Sequence, residues 1–206
     1  MTSTPSSTVI MFVRHAEVYN PKDILYGRLP GFRLSENGRR QAHRTGRFIS
    51  GRPVSVIYTS PLARARETAE ILSGYQPSAP VQISRRLIEV RTSYQGSPNS
   101  ILKPGFSFFE PVRDPNDETM QGIFDRLSSF LQAAIQKHGG STVVAVSHAD
   151  PISVLWTGLE QRQLTPACMR ETVYPARSSV TQVVTRSGKV LSLTYFNAAE
   201  VEETKL

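Results

Sequence analysis

The chain has 206 residues, 39% of them apolar, which is enough for one large domain with a sizeable core, and its formal charge of +7 points to anionic partners. Its one cysteine, Cys168, excludes an intramolecular disulfide and a cysteine zinc cluster, and is expected to be a small buried apolar residue. The basic residues are spread along the chain, and no zinc-finger, RRM or basic-zipper signature accompanies them, so no nucleic-acid partner is expected, and small phosphorylated substrates explain the charge as well.

In chain order, the first seven residues, MTSTPSS, read as a disordered lead-in, and residues 8–206 as a single domain. The lead-in lacks the basic start and apolar stretch of a secretory signal, and no run of about 18 apolar residues occurs. A cytoplasmic protein without membrane association is expected. TVIMFV (8–13) is continuously apolar, the pattern of a strand buried on both faces at the centre of a parallel sheet. A Pro- and Gly-rich loop, PKDILYGRLPGFR (21–33), leads to a helix over LSENGRRQAHRTGRFIS (34–50), with Ser35 as N-cap and Gly51 as stop. SVIYTS (55–60) is a second strand. The helix after it is expected to take Ser60 as N-cap and Pro61 as its first residue, burying Leu62, Ala65, Ala69 and Leu72.

Residues 87–117 form a long irregular stretch, of which 90–117 reads as a cover over a substrate. Asp117 is expected to open the longest helix, whose buried stripe runs through Met120, Ile123, Phe124, Leu127, Phe130, Leu131, Ala134 and Ile135 until Gly139 and Gly140. TVVAVS (142–147) is a strand, HADPISVLWTGL (148–159) a short helix, and residues 178–197 an edge hairpin turning at Ser187 and Gly188. Strands and helices alternate, so the fold class is a three-layer α/β/α sandwich with a mainly parallel sheet and an antiparallel edge.

Open α/β sheets bind ligands at the carboxyl ends of their strands. Three such ends carry polar groups here: FVRHAE (12–17), IYTSPLARA (57–65) and AVSHAD (145–150). Arg64 stands in the first turn of a helix, where a cation is disfavoured by about 0.3–1 kcal/mol. A bound anion at that terminus reverses the sign. Arg14, His15, Arg64 and His148 together suit a phosphoryl group, because guanidinium forks hold its oxygens and an imidazole can attack phosphorus. The rival is a metal held by His15, His148, Glu17 and Asp150, which two arginines at the site argue against.

These segments resemble the histidine phosphatase superfamily, also called phosphoglycerate mutase-like. VRHAE is similar to its Arg-His-Gly motif, TSPLARARETA to its second arginine segment, LSENGRRQA to the helix before that, LIEV to the stretch bearing its acid, and VVAVSHAD to its late histidine. The resemblance runs in order over residues 9–159. It implies a phosphoglycerate mutase-like fold and a metal-independent phosphomonoester hydrolase, with no cofactor, acting through a phosphohistidine on a small phosphorylated metabolite. His15 would be the nucleophile, Arg14, Arg64 and His148 the phosphoryl-binding groups, and Glu89 the proton donor that afterwards activates water. A cofactor-dependent phosphoglycerate mutase and a non-catalytic phospholigand-binding module are the alternatives.

The family's glycine after the histidine is Ala16 here. Asn20 lies one residue nearer the histidine than the family's asparagine and stands as a substrate ligand on that resemblance. Arg28 and Arg33 replace an aspartate-bearing loop; they either meet a second acidic group of the substrate or are solvated. Glu17 is expected to pair with an arginine. His43 and His138 read as surface residues, and Phe106, Phe108 and Phe109 as core or cover, or as the lining for an apolar part of the substrate.

Overall fold

The apolar run near the start of the chain forms β1 (Thr8–Arg14), and its neighbours explain the lack of polar alternation. Ile10 and Phe12 enter a buried cluster with Val56, Leu127, Phe130 and Leu155, whereas Met11 and Val13 enter another with Ile49, Ile57, Leu72 and Val146. A strand covered on both faces is apolar at every position. The structure is a computed structural model and describes residues 6–200. The first five residues of the expected lead-in lie outside the described residues; Ser7, within them, accepts a hydrogen bond from Arg186 at 3.2 Å.

The chain continues through α1 (Glu36–Ser50), β2 (Val54–Thr59), α2 (Ala63–Ser73), β3 (Val81–Ile83), α3 (Met120–Lys137), β4 (Thr142–Ser147), α4 (Ala149–Leu159), α5 (Pro166–Arg170), β5 (Val180–Arg186) and β6 (Lys189–Phe196). The sheet order is β3-β2-β4-β1-β5-β6. Its first four strands run parallel, β5 pairs antiparallel with β1, and β6 closes the edge as the hairpin partner of β5. Ile49 and Leu72 place α1 and α2 on one face of the sheet, while Leu127, Phe130, Ile152 and Leu155 place α3 and α4 on the other. This is the expected α/β/α sandwich. The hairpin turns at Ser187 and Gly188 with φ of 50° and 77°, the left-handed pair that matches strand twist.

Ser35 caps α1 by accepting the Gly38 amide at 2.9 Å, and Gly51 ends it, as the sequence suggested. Two helix starts differ. α2 begins at Ala63 behind an extended Leu62, not at Pro61; the Ser60 hydroxyl accepts the Leu62 amide at 3.4 Å, ahead of the helix, and lies 2.8 Å from His148 Nε2. Leu62 is half-buried, while Ala65, Ala69 and Leu72 face the core. α3 begins at Met120 with Thr119 as cap, and Asp117 instead accepts the Ser93 hydroxyl at 2.8 Å, tying the irregular stretch to the helix entry. On α3, Phe124 and Ile135 are only partly buried.

β3 and α5 escape a periodicity reading because three and five residues are too few to show a period. Cys168 sits on α5 and is half-buried, not a core residue. His43 is exposed, while His138 is half-buried with its Nε2 3.0 Å from the Tyr58 hydroxyl. Among the described residues, no helix is long and apolar enough to cross a membrane.

Candidate active site

Strand register brings the three polar strand ends level. Arg14 pairs with Ser147 and Thr59 with Val146, so the next residues, His15, Ser60 and His148, lie together at the carboxyl edge of the sheet. His15 donates its amide to Ser147 at 2.9 Å, and Ser60 donates to Val146 at 2.9 Å. The Ser178 amide donates to the Arg14 carbonyl at 3.1 Å, and Thr45 Oγ1 donates to the Ser178 carbonyl at 2.7 Å. The backbone of β1 is thus satisfied past its last apolar residue, and the polar side chains are left to face the edge.

Arg64, the second residue of α2, is fully buried and joins both imidazoles. Its Nε donates to His15 Nε2 at 3.1 Å, and its Nη2 lies 3.2 Å from His148 Nδ1 and 2.8 Å from the Gly27 carbonyl. A guanidinium only donates, so His15 Nε2 and His148 Nδ1 carry lone pairs. His15 Nδ1 therefore holds the proton and donates to the Ala16 carbonyl at 2.7 Å. His148 Nε2 holds the other and donates to Ser60 Oγ at 2.8 Å. Burial, then Arg64 and Arg14, hold His15 well below the ordinary imidazole range. Burial and Arg64 do the same for His148.

Glu89 Oε2 lies 3.5 Å from His148 Nδ1 and 3.7 Å from Arg64 Nη2, while Oε1 accepts the Val90 amide at 2.9 Å. Burial pushes its carboxyl above the usual range, against the opposing pull of Arg64. Arg14 donates to the Pro175 carbonyl at 2.7 Å and lies 5.7 Å from the Tyr174 ring centre; its Nε is buried without a partner among the described residues. Arg14, His15, Glu89, Asp150, Tyr174 and Phe108 line a cavity of about 430 Å³. The 90–117 segment supplies Val90, Thr92, Asn99, Leu102 and Phe108 to its wall, and Phe109 packs instead in a core cluster with Ile123.

Arg14, His15, Arg64, Glu89 and His148 are brought together. Asn20 lines the cavity, but its amide is spent on its own loop, donating to the Ile24 carbonyl at 2.9 Å. Arg28 donates to the Glu89 carbonyl at 2.8 Å and pairs with Glu118 at 2.9 Å, so it braces the segment that carries Glu89. Arg33 lines a different concavity beside Glu67 and Glu70. Glu17 finds its arginine in Arg177 at 3.1 Å, and hydrogen bonds from Ser35 and Asn37 hold its carboxyl below the usual range. Ser60, Tyr174 and Arg177 were missed, and Asp150 was seen only as a possible ligand. Asp150 accepts the Tyr174 hydroxyl at 3.3 Å, and burial together with Glu89 pushes its carboxyl up to about 7.

His15, Glu89 and His148 each offer a metal ligand atom, all within 4.8 Å of one another. The fixed guanidinium of Arg64 already donates to both imidazole lone pairs, so this donor set suits an anion better than a dication.

The sequence model of the histidine phosphatase superfamily (branch 1) matches residues 10–197. The uncharacterized protein Rv0525 of Mycobacterium tuberculosis is 31% identical over 205 residues, covering 95% of this chain and 98% of that protein. The uncharacterized phosphatase PhoE of Bacillus subtilis is 29% identical over 170 residues, covering 79% and 86%. Among solved structures, YhfR of Bacillus stearothermophilus shares the fold with a TM-score of 0.80 at 23% identity, covering 94% of this chain and 100% of that one.

Proposed function

The chain belongs to the histidine phosphatase superfamily, and on that premise we propose that it hydrolyses phosphomonoesters of small metabolites through a phosphohistidine, without a metal ion. The observation that carries this reading is the state of His15: a neutral ring, proton fixed on Nδ1, with its Nε2 lone pair beside a buried guanidinium. An imidazole so arranged is a nucleophile waiting for an electrophile that brings negative charge.

In the first half-reaction Arg64 Nε turns its hydrogen bond from His15 Nε2 to a phosphoryl oxygen, the freed Nε2 lone pair attacks phosphorus, the bond from phosphorus to the ester oxygen breaks, and protonated Glu89 gives its proton to the departing alcohol. Arg14 and Arg64 donate to the phosphoryl oxygens and stabilise charge as it shifts, while His148, whose Nδ1 accepts from Arg64, orients that guanidinium. In the second half-reaction the Glu89 carboxylate takes a proton from water, the water oxygen attacks phosphorus, and the N–P bond breaks, returning the lone pair to Nε2. Burial of Glu89 favours its acid form at the start of each cycle.

Turnover of p-nitrophenyl phosphate in the presence of a chelator, and of 3-phosphoglycerate with and without a bisphosphate primer, tests this. Phosphate release from p-nitrophenyl phosphate is expected, reduced by at least about 10³-fold in His15→Ala. Near-normal turnover by that variant refutes the mechanism. Isomerisation of 3-phosphoglycerate without phosphate release identifies a mutase, and binding without any turnover a phospholigand module.

A further inference from the structure

The wall of the cavity carries both cations and carboxyls. Arg14 and Arg64 serve the phosphoryl position beside His15. Of the remaining charged residues in the wall, Glu17 and Arg177 neutralise each other at 3.1 Å. Glu89 serves the leaving oxygen, which leaves Asp23 and Asp150 in the wall without an assigned part, and neither is in an ion pair among the described residues. Asp23 accepts the Asn99 amide at 2.6 Å, a neutral donor. Asp150 is only 7% exposed, lies in the first turn of α4 two residues after His148, and lines both this cavity and an adjoining one of about 330 Å³. The Tyr174 hydroxyl takes its Oδ1, leaving Oδ2 for a ligand. Of the loop cations considered for a second acidic group, Arg28 is bound to Glu118 and Arg33 lines another concavity.

Arg14 acts on Asp150 only from beyond ion-pair distance; a nearly buried carboxyl without a cation in direct contact gains most from one supplied by a ligand, and the same carboxyl repels a ligand carboxylate. We propose that Asp150 determines specificity, receiving an ammonium group on the alcohol portion of the phosphomonoester and rejecting a carboxylate at that place. The substrate class is then a phosphorylated amino alcohol or amino sugar, and not a phosphorylated hydroxy acid. The inference rests on the phosphatase reading above. Tyr174 orients the Asp150 carboxyl, and the cavity shared with Glu89 keeps the ammonium next to the departing oxygen.

Three esters of nearly equal size separate the possibilities: O-phosphoethanolamine, 2-hydroxyethyl phosphate and phosphoglycolate, with p-nitrophenyl phosphate as the control for a working site. The expected order of kcat/KM is ammonium, then hydroxyl, then carboxylate, with about tenfold or more between the first and last. In Asp150→Asn that ratio falls to within about threefold, and in Asp150→Glu the order is restored. Because the ratio is taken within one protein, loss of folded material does not alter it. Phosphoglycolate turned over as fast as phosphoethanolamine, or a ratio unchanged in Asp150→Asn, overturns the proposal. If p-nitrophenyl phosphate is not hydrolysed, the phosphatase reading itself fails; calorimetric dissociation constants for the three esters then decide on Asp150, with the same order expected and equal affinities contradicting it.

Discussion

Gly38 stands in the first turn of α1 against the backbone of Glu17. A Cβ at this position would lie 2.0 Å from the Glu17 carbonyl oxygen, 2.9 Å from its carbonyl carbon and 3.0 Å from its nitrogen. Carbon and oxygen rest at about 3.3 Å or more, so in Gly38→Ala the helix end must retreat by more than about 1 Å. Side chains cannot absorb this, because the obstacle is main chain that also accepts the Ser35 amide at 3.0 Å. Overpacking costs about 1–3 kcal/mol and the strained Ser35 hydrogen bond about 1 kcal/mol, while alanine's better helix propensity returns about 1 kcal/mol. The net is about 2 kcal/mol, a fall in Tm of about 4–8 °C for a chain of this size. Glu17 follows His15 by two residues, so the retreat also moves the nucleophile, and kcat at 25 °C is expected to fall about tenfold with the protein still folded. Thermal unfolding followed by circular dichroism, with p-nitrophenyl phosphate turnover on the same samples, reads both effects. A variant as stable as the parent with unchanged kcat refutes the close approach.

Glu89→Gln removes the proton donor, so kcat/KM for alkyl phosphates should fall by about 10²–10³ while p-nitrophenyl phosphate, whose leaving group departs unaided, loses less than about tenfold; equal losses would remove Glu89 as the acid. In the parent, activity on alkyl esters falls on the acid side as His15 takes a proton, below the ordinary imidazole range because its pKa is lowered. It falls on the basic side as Glu89 ionises, above the ordinary carboxyl range because its pKa is raised, and this basic limb should be missing from the Gln variant. Ser60→Ala leaves the buried His148 Nε2 proton without its acceptor, and urea denaturation should show a loss of about 1–3 kcal/mol. An unchanged midpoint would contradict the tautomer assigned to His148.

The fold class and four residues of the site, Arg14, His15, Arg64 and His148, were legible because each rests on a local pattern: apolar runs that end in charge, and an arginine in the first turn of a helix; Glu89 came only through the family resemblance. What was not legible depends on pairs distant in sequence. Ser60 looks like a helix cap until His148, 88 positions later, takes its hydroxyl. Arg28 looks like a substrate ligand until Glu118, 90 positions away, pairs with it. Gly38 sits at the third helical position for no reason visible in its own segment, and only the approach of Glu17 supplies one. Asp150 drew notice as a ligand type, yet its burial and its Tyr174 partner, 24 residues on, appear only when the chain is folded. Composition pointed to an anionic ligand, and Arg14 and Arg64 fit that; the carboxyls in the cavity wall run against the net charge.

The central claim is that phosphate passes through the Nε2 nitrogen of His15. Rapid mixing of enzyme with substrate, quenched under alkaline conditions and followed by mass spectrometry of the peptides, tests it most directly. The account predicts one phosphate on the peptide carrying His15, lost on brief acid treatment and absent from His15→Ala. Steady turnover with no label on that peptide, or an acid-stable label on another residue, would contradict it.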